Sequence, residues 1–322
     1  MHCQGLAPGD VELLRWNFFL AIESGDESKL DASHHPALLT LVESNGTAAR
    51  LPGDSETGRA DEPGRTIQDP IWRSSADEDR LAWGPAVVRF SRNGPSHAYI
   101  GATGGQRSAL LPTAFSACAS RALAVQGKVL LHGASFLVQD RCVLVAGPRC
   151  AGKSTLTAAA LAASCSVLSD DSVVCWRDGG VPILAPFRTF LSFREKTLVA
   201  LPPPVRRRLY CSRGPDEERW LLGVDPSLAG RAHPVAVLWL ARVDKSADVT
   251  VIKRLDDARA LAGLINSVSV LFMTAKYPRE AAALTRVLVA TVEHTPSFEV
   301  VLGRDVLLDP ANTLWRLAEV SL

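Results

Sequence analysis

The run Gly147-Pro148-Arg149-Cys150-Ala151-Gly152-Lys153-Ser154 satisfies G-x-x-x-x-G-K-[ST]. Glycines in such a run let successive backbone N–H groups turn inward as an anion nest, a following helix aims its positive end at the same point, and a lysine adds a mobile full charge. This chemistry suits the terminal phosphates of a nucleotide. Ser154 offers a hydroxyl to a Mg²⁺ that bridges those phosphates, because that hard ion takes oxygen ligands and keeps several waters, and Thr155 follows it at the helix start. Within the loop, Arg149 either touches phosphate or points to water. Cys150 is either a thiol activated by the helix end or a small filler.

Further along stand two adjacent carboxylates, Asp170 and Asp171, closing the short apolar run Val167-Leu168-Ser169. Side chains alternate across a strand, so two neighbours at its end can diverge, one toward a metal and the other toward an incoming hydroxyl. The competing reading is a plain Asp-Asp-Ser turn. A third element is His132, upstream of the loop on the strand expected to precede it; alone, a histidine there is as readily a satisfied strand residue.

These groups work only if the surrounding elements position them. Cys142–Ala146 is an apolar strand running straight into the loop, and Val129–Val138, before a turn at Gln139-Asp140-Arg141, is another. Ser154–Ala163, rich in alanine and leucine, must be a helix; Ser166–Ser169 and Val173–Trp176 are strand-like on either side of the aspartates. The order strand, loop, helix, strand predicts an α/β fold. Ala236–Ala241 reads as a buried strand, Asp256–Ser267 and Pro278–Ala290 as helices, and Phe298–Leu302 as a late strand. The helical apolar spacing over Ala260–Ser267 belongs to core packing.

Leu131-His132-Gly133, the loop Gly147–Ser154, and Ser169-Asp170-Asp171-Ser172-Val173 together resemble the catalytic core of HPr serine kinase/phosphorylase and its relatives, including the kinases that accompany lasso-peptide biosynthesis. The resemblance spans about Leu131 to Cys175. It implies a phosphate-loop kinase domain of the HPr kinase / phosphoenolpyruvate carboxykinase type over 113–322, behind a smaller N-terminal accessory domain at 1–112. It also implies Mg²⁺-dependent transfer of the γ-phosphoryl group of ATP to a serine hydroxyl of a peptide or protein. By that resemblance Asp170 is the base, Asp171 and Ser154 serve Mg²⁺, Lys153 holds the β and γ phosphates, and His132 lies near the transferred group; relatives often form homo-oligomers. Where the family carries a Glu-Ile-Arg-Gly type signature, this chain has Pro186-Phe187-Arg188-Thr189-Phe190-Leu191-Ser192-Phe193-Arg194. That departure argues against a reversible HPr enzyme and toward another acceptor, such as a biosynthetic precursor peptide. An ATP-binding interaction module with little turnover and a small-molecule kinase stay open beside it.

Arg188 and Arg194 are candidates for pairing with phosphate or an acidic acceptor, or for simple solvation. Pro202–Arg219, with Arg206-Arg207-Arg208, reads as an extended loop, either a peptide clamp or a solvated connector. In the N-terminal part, Asp10–Glu23 has helical spacing and 54–80 reads as a mobile loop. Ala86–Ser91 and Ala98–Ile100 are strands about a turn, and Pro112–Gln126 is a helix.

The chain has 322 residues, with 35 basic against 34 acidic, for a formal charge of +1. Neither a global field nor a basic stripe recruits nucleic acid. Seven cysteines without a C-x-x-C pair read as reduced thiols. No secretory signal opens the sequence and no run approaches the roughly 18 apolar residues of a spanning helix. The expectation is a cytoplasmic protein that binds no membrane.

Overall fold

The computed structural model describes residues 3–4, 39–43, 71–75, 77–83, 86–91, 96–100, 104–213, 218–228, 231–268 and 278–322. The chain divides into two compact units, Met1–Ala122 and Leu123–Leu322. The boundary expected at 112/113 falls inside the helix α1, Gly104–Val125.

The first unit holds a six-stranded sheet of β1 (Cys3–Gln4), β2 (Leu39–Glu43), β3 (Ile71–Ser74), β4 (Glu78–Trp83), β5 (Ala86–Ser91) and β6 (Ser96–Ile100), in the order β1-β2-β6-β5-β4-β3. Alternate residues Ala86, Val88 and Phe90 of β5 are fully buried, as the period of two requires. The mobile loop expected at 54–80 is corrected over its last residues: β3 and β4 pair as an antiparallel hairpin, with Ser75 Oγ donating to Glu78 O at 3.0 Å in the turn. Charges along Glu78-Asp79-Arg80 conceal a strand whose Leu81 is 1% exposed. The rest of that loop and the helix expected at Asp10–Glu23 lie outside the described residues.

The second unit is mixed α/β, built on a nine-stranded sheet. Its strands are β7 (Val129–Leu131), β8 (Gly133–Val138), β9 (Arg141–Ala146), β10 (Ser166–Ser169), β11 (Val173–Asp178), β12 (Val181–Pro186), β16 (His233–Val243), β17 (Val251–Arg254) and β18 (Ser297–Leu302). Three more, β13 (Phe190–Phe193), β14 (Tyr210–Arg213) and β15 (Glu218–Gly223), form a separate sheet in the order β13-β15-β14. In the large sheet β9, β16 and β18 run parallel, and the path is β10-β8-β9-β16-β12-β11-β7, with β18 also beside β16 and β17 at its edge. Central β9 is buried from Cys142 through Ala146, which explains its unbroken apolar run. Two hairpins close through two left-handed residues each, Gln139-Asp140 (φ 50 and 64) and Gly179-Gly180 (φ 54 and 95), the turn geometry that matches strand twist.

Helices flank the sheet: α2 (Lys153–Ala162), the short α3 (Pro203–Arg206), α4 (Asp257–Ile265), α5 (Pro278–His294), α6 (Asp305–Leu308) and α7 (Pro310–Ser321). Asp256 caps α4 by accepting from Arg259 N at 2.9 Å. Trp239 of β16 is fully buried, edge-on to Phe136 at 5.8 Å between centroids, and its indole donates to Ser321 Oγ at 3.1 Å. Among the described residues no helix is long and apolar enough to cross a membrane.

Two further expectations are corrected here. Val129–Val138 is not one strand: β7 pairs with β11 and β8 pairs with β9 and β10, so the chain changes partners at His132. Just past the break Gly133 lies so close to β9 that a Cβ there would stand 2.9 Å from Val145 O. Nor is Pro202–Arg219 an extended loop. Its proline pair starts α3, Arg206 donates to Leu201 O (2.7 Å) and Val199 O (2.9 Å), and the chain then enters β14 and β15.

Candidate functional site

The loop Gly147–Gly152 leaves β9 in the middle of the sheet and enters α2. Its two end glycines have no substitute. Gly147 (φ 150) would carry a Cβ 2.7 Å from Ala241 O, and Gly152 (φ 95) would drive one into Leu302 Cδ1. Cys150 stands exposed at φ 64, a conformation that turns the loop backbone in on itself.

Lys153 is 5% exposed, and its Nζ donates to Gly147 O (2.8 Å) and Pro148 O (2.9 Å). Burial pushes its ammonium below the usual lysine range, while Asp171, Cys150 and Asp170 partly offset that. Hydrogen bonds tie loop and carboxylates together: Ser267 holds both Gly147 N and His132 N, and His132 Nδ1 lies 2.9 Å from Asp171 O.

The aspartates lie in unlike surroundings. Asp170 is 3% exposed; its Oδ2 accepts from Ser192 N of β13 at 2.7 Å, and its Oδ1 is buried without a hydrogen-bond partner. Burial, and then the neighbouring Asp171, push its carboxyl up to about 8, with the Ser192 amide and Arg188 opposing. The Asp171 side chain is 42% exposed and lies 3.3 Å from His132 Nδ1 and 3.6 Å from an Arg188 nitrogen. Burial acts upward on it too, but the His132 hydrogen bond and Arg188, with Ser172 Oγ donating at 3.0 Å, hold it well below the usual carboxylate range. One carboxyl is thus kept charged beside its neutral-leaning neighbour, the division that separates charge-bearing from proton-handling groups.

This split has a pH signature. Asp170 rises from 3.8 to about 8 on folding. Between those values the folded chain keeps a proton that the unfolded chain has released, so stability falls as pH rises through the window. Melting temperature measured across it is expected to decline, and Asp170→Asn should flatten the slope; an unchanged slope would show that Asp170 is not the titrating group.

Of the expected residues, the structure joins His132, Lys153, Asp170 and Asp171 through hydrogen bonds and fields. His132 occupies the break between β7 and β8, where its Nδ1 lies 2.9 Å from Asp171 O. Arg149 is exposed, while Ala151 is buried in the loop and its N donates to Pro148 O at 3.2 Å. Ser154 and Thr155 occupy the first turn of α2. Arg194 also reaches the loop, with a guanidinium nitrogen 3.6 Å from Cys150 Sγ.

One site residue escaped sequence reasoning. Ser267, 1% exposed just past α4, accepts Gly147 N on its Oγ at 2.9 Å, donates to Gly263 O at 3.2 Å, and accepts His132 N on its backbone oxygen at 2.7 Å. A helical apolar pattern with a terminal serine gave no hint that the end of α4 ties the loop to His132. Ser267→Ala strands the Gly147 N–H, a loss of about 1–3 kcal/mol. The expected outcome is a lower melting temperature and weaker nucleotide binding with unaltered circular dichroism; a variant matching the parent in both would remove the tether.

A divalent cation fits this donor set. Asp170 Oδ1 has no hydrogen-bond partner, the ionised Asp171 stands beside it, and Ser154 lies in the first turn of α2. Among the described residues no cluster of three His, Cys, Asp or Glu could hold a metal. Mg²⁺ is commonly bound by one or two carboxylates plus waters and phosphate oxygens, the kind of ligand Asp171 and Ser154 can supply.

No family model and no curated protein matches the sequence. Among solved structures, the chain is similar to the Hpr(Ser) kinase/phosphatase from Coxiella burnetii at 13% identity, covering 59% of this chain and 96% of that one, with a TM-score of 0.29. A superposition that loose assigns no residue a role.

Proposed function

We propose that the protein is a Mg²⁺-dependent kinase that moves the γ-phosphoryl group of ATP to a serine hydroxyl of a peptide or protein. The observation that carries this reading is the hydrogen-bonded link, through Ser267 and His132, of a glycine loop and its buried lysine to the aspartate pair, whose Asp170 is buried with one oxygen lacking a hydrogen-bond partner. A simple Asp-Asp-Ser turn would leave both carboxylates in water.

The chain's own groups divide the work. Amides of Cys150, Gly152 and Lys153 and the N-terminal end of α2 bind the phosphates, and Lys153 exchanges its loop carbonyls for phosphate oxygens. Asp170 accepts the proton of the acceptor hydroxyl as that oxygen attacks the γ phosphorus in line with the leaving diphosphate. A carboxyl value near 8 matches this task, because a general base works best with a pKa close to the working pH. Asp171 and Ser154 would hold Mg²⁺, which neutralises charge on the bridged phosphates when bound. His132 and Arg188 keep Asp171 ionised for that purpose.

The departure at Pro186–Arg194 favours an acceptor other than HPr, and a precursor peptide of the lasso type is the acceptor class proposed. The test is intact mass. Protein, ATP and Mg²⁺ are incubated with serine-containing precursor peptides and with HPr; a phosphate increment on a peptide is the expected result, and ATP binding without transfer to any acceptor would favour an interaction module.

A further inference from the structure

The small sheet leads away from the Asp170 carboxyl. Ser192 of β13, whose N–H holds Asp170 Oδ2 at 2.7 Å, stands in register with Leu221 of β15, and Leu221 with Tyr210 of β14. Residues opposite one another on paired strands share a face, so the three form one row. Two strand spacings carry that row about 10 Å, the length of about three residues of extended chain. Along it Leu221 is 8% exposed and Tyr210 66%, so the row ends in an aromatic ring open to solvent.

The charge around Tyr210 is one-sided. Residues 196–213 include Lys196, Arg206, Arg207, Arg208 and Arg213 and no acid. Arg206 has a structural task, closing on Leu201 O and Val199 O. Arg207 and Arg208, just before Tyr210 in the chain, are exposed and form no ion pair among the described residues. The acids flanking this segment stand at its ends: Glu195 opens the turn Glu195–Ala200, and Glu218 lies opposite Arg213 in the hairpin of β14 and β15. Packing accounts for Arg206, but not for two further guanidinium groups beside an open tyrosine.

An acidic peptide segment suits this patch. Guanidinium groups pair with carboxylates bidentately, and a tyrosine ring gives an extended backbone a rigid apolar support. A nucleic acid draws its affinity from many phosphate contacts, and two exposed arginines supply few. We infer that Tyr210, Arg207 and Arg208 form a docking surface for an acidic segment of the acceptor, whose carboxylates lie about three residues from the serine that meets Asp170. The inference rests on the kinase reading above and adds to it a substrate class, acceptors with acidic residues at that distance.

The experiment titrates labelled synthetic peptides, each with a single serine, against the parent by fluorescence anisotropy in the presence of a non-hydrolysable Mg·ATP analogue. Test peptides place a Glu-Glu pair about three residues before or after the serine. Controls carry Ala-Ala or Lys-Lys there, or the Glu-Glu pair well beyond that distance. One test peptide is expected to bind about fivefold more tightly than its Ala-Ala counterpart, the worth of two exposed ion pairs. A double variant, Arg207→Glu with Arg208→Glu, should prefer the Lys-Lys peptide instead, and Tyr210→Ala should weaken all of them. Both should keep the parent's calorimetric affinity for the ATP analogue. In transfer assays the double variant should raise KM for the Glu-Glu peptide and leave kcat near the parent value. Equal binding of all peptides by the parent, a preference that survives the double variant, or one indifferent to spacing overturns the inference. Tighter binding of a labelled single-stranded RNA than of any peptide, lost in the double variant, assigns the patch to nucleic acid and overturns it as well. A parent that binds no ATP analogue removes the kinase reading, and the acceptor role falls with it even where the Glu-Glu preference persists.

Discussion

Asp170→Asn is expected to lower phosphoryl transfer by about 10²–10⁴-fold, the usual worth of a positioned general base, while leaving nucleotide affinity nearly intact. The amide keeps the shape of the carboxyl, and its oxygen can still accept from Ser192 N. What it loses is the capacity to take a proton from the acceptor hydroxyl. Folding should survive, because the buried carboxyl already leans toward its neutral form, with a value near 8. Single-turnover kinetics with labelled ATP separates the two effects; transfer at the parent rate would take the base assignment from Asp170. In the parent, the transfer rate should rise with pH as Asp170 deprotonates, and that limb of the profile should vanish in the variant.

Lys153→Ala is the second large effect. Hydrogen bonds to charged groups contribute about 1.5–3 kcal/mol, so triphosphate affinity should drop by about 10- to 150-fold. The lysine now spends its protons on Gly147 O and Pro148 O while nearly buried. That arrangement is a desolvated cation aimed into its own loop, and burial lowers its proton affinity accordingly. Lys153→Met fills the same channel without charge and separates lost packing from lost attraction: both variants should bind weakly, with Met the more stable to heating. Calorimetry and thermal melts on the pair decide it, and parent-like affinity in either would show that the ammonium does not touch phosphate.

Much of the second unit was legible because its signals are local. Cys142–Ala146 is apolar at every position because β9 lies inside a sheet with neighbours on both sides, and Gly147 and Gly152 stand where a side chain would meet Ala241 O or Leu302. Asp256 and the spacing behind it announce α4 through a cap and a period, both written within a few residues. Errors came where the deciding contact was remote or where charge masked a pattern. His132 looks like one residue in an apolar strand, yet the chain switches partners there, and Arg206 among arginines looks solvated, yet it closes the turns around Val199 and Leu201.

The candidate site divides in the same way. Sequence alone determined that a glycine loop lies between a strand and a helix, with Lys153 at its end and two carboxylates just past a later strand, since motif and periodicity need only neighbours along the chain. Only tertiary structure decided that the two carboxyls differ. Asp170 is shut in against β13 and Asp171 is paired with His132 and Arg188, because burial and field depend on groups brought from distant segments. The same holds for Ser267 under the loop, 120 residues from Gly147, and for Arg194 beside Cys150, 44 residues apart: no spacing rule links such pairs until folding lays them side by side.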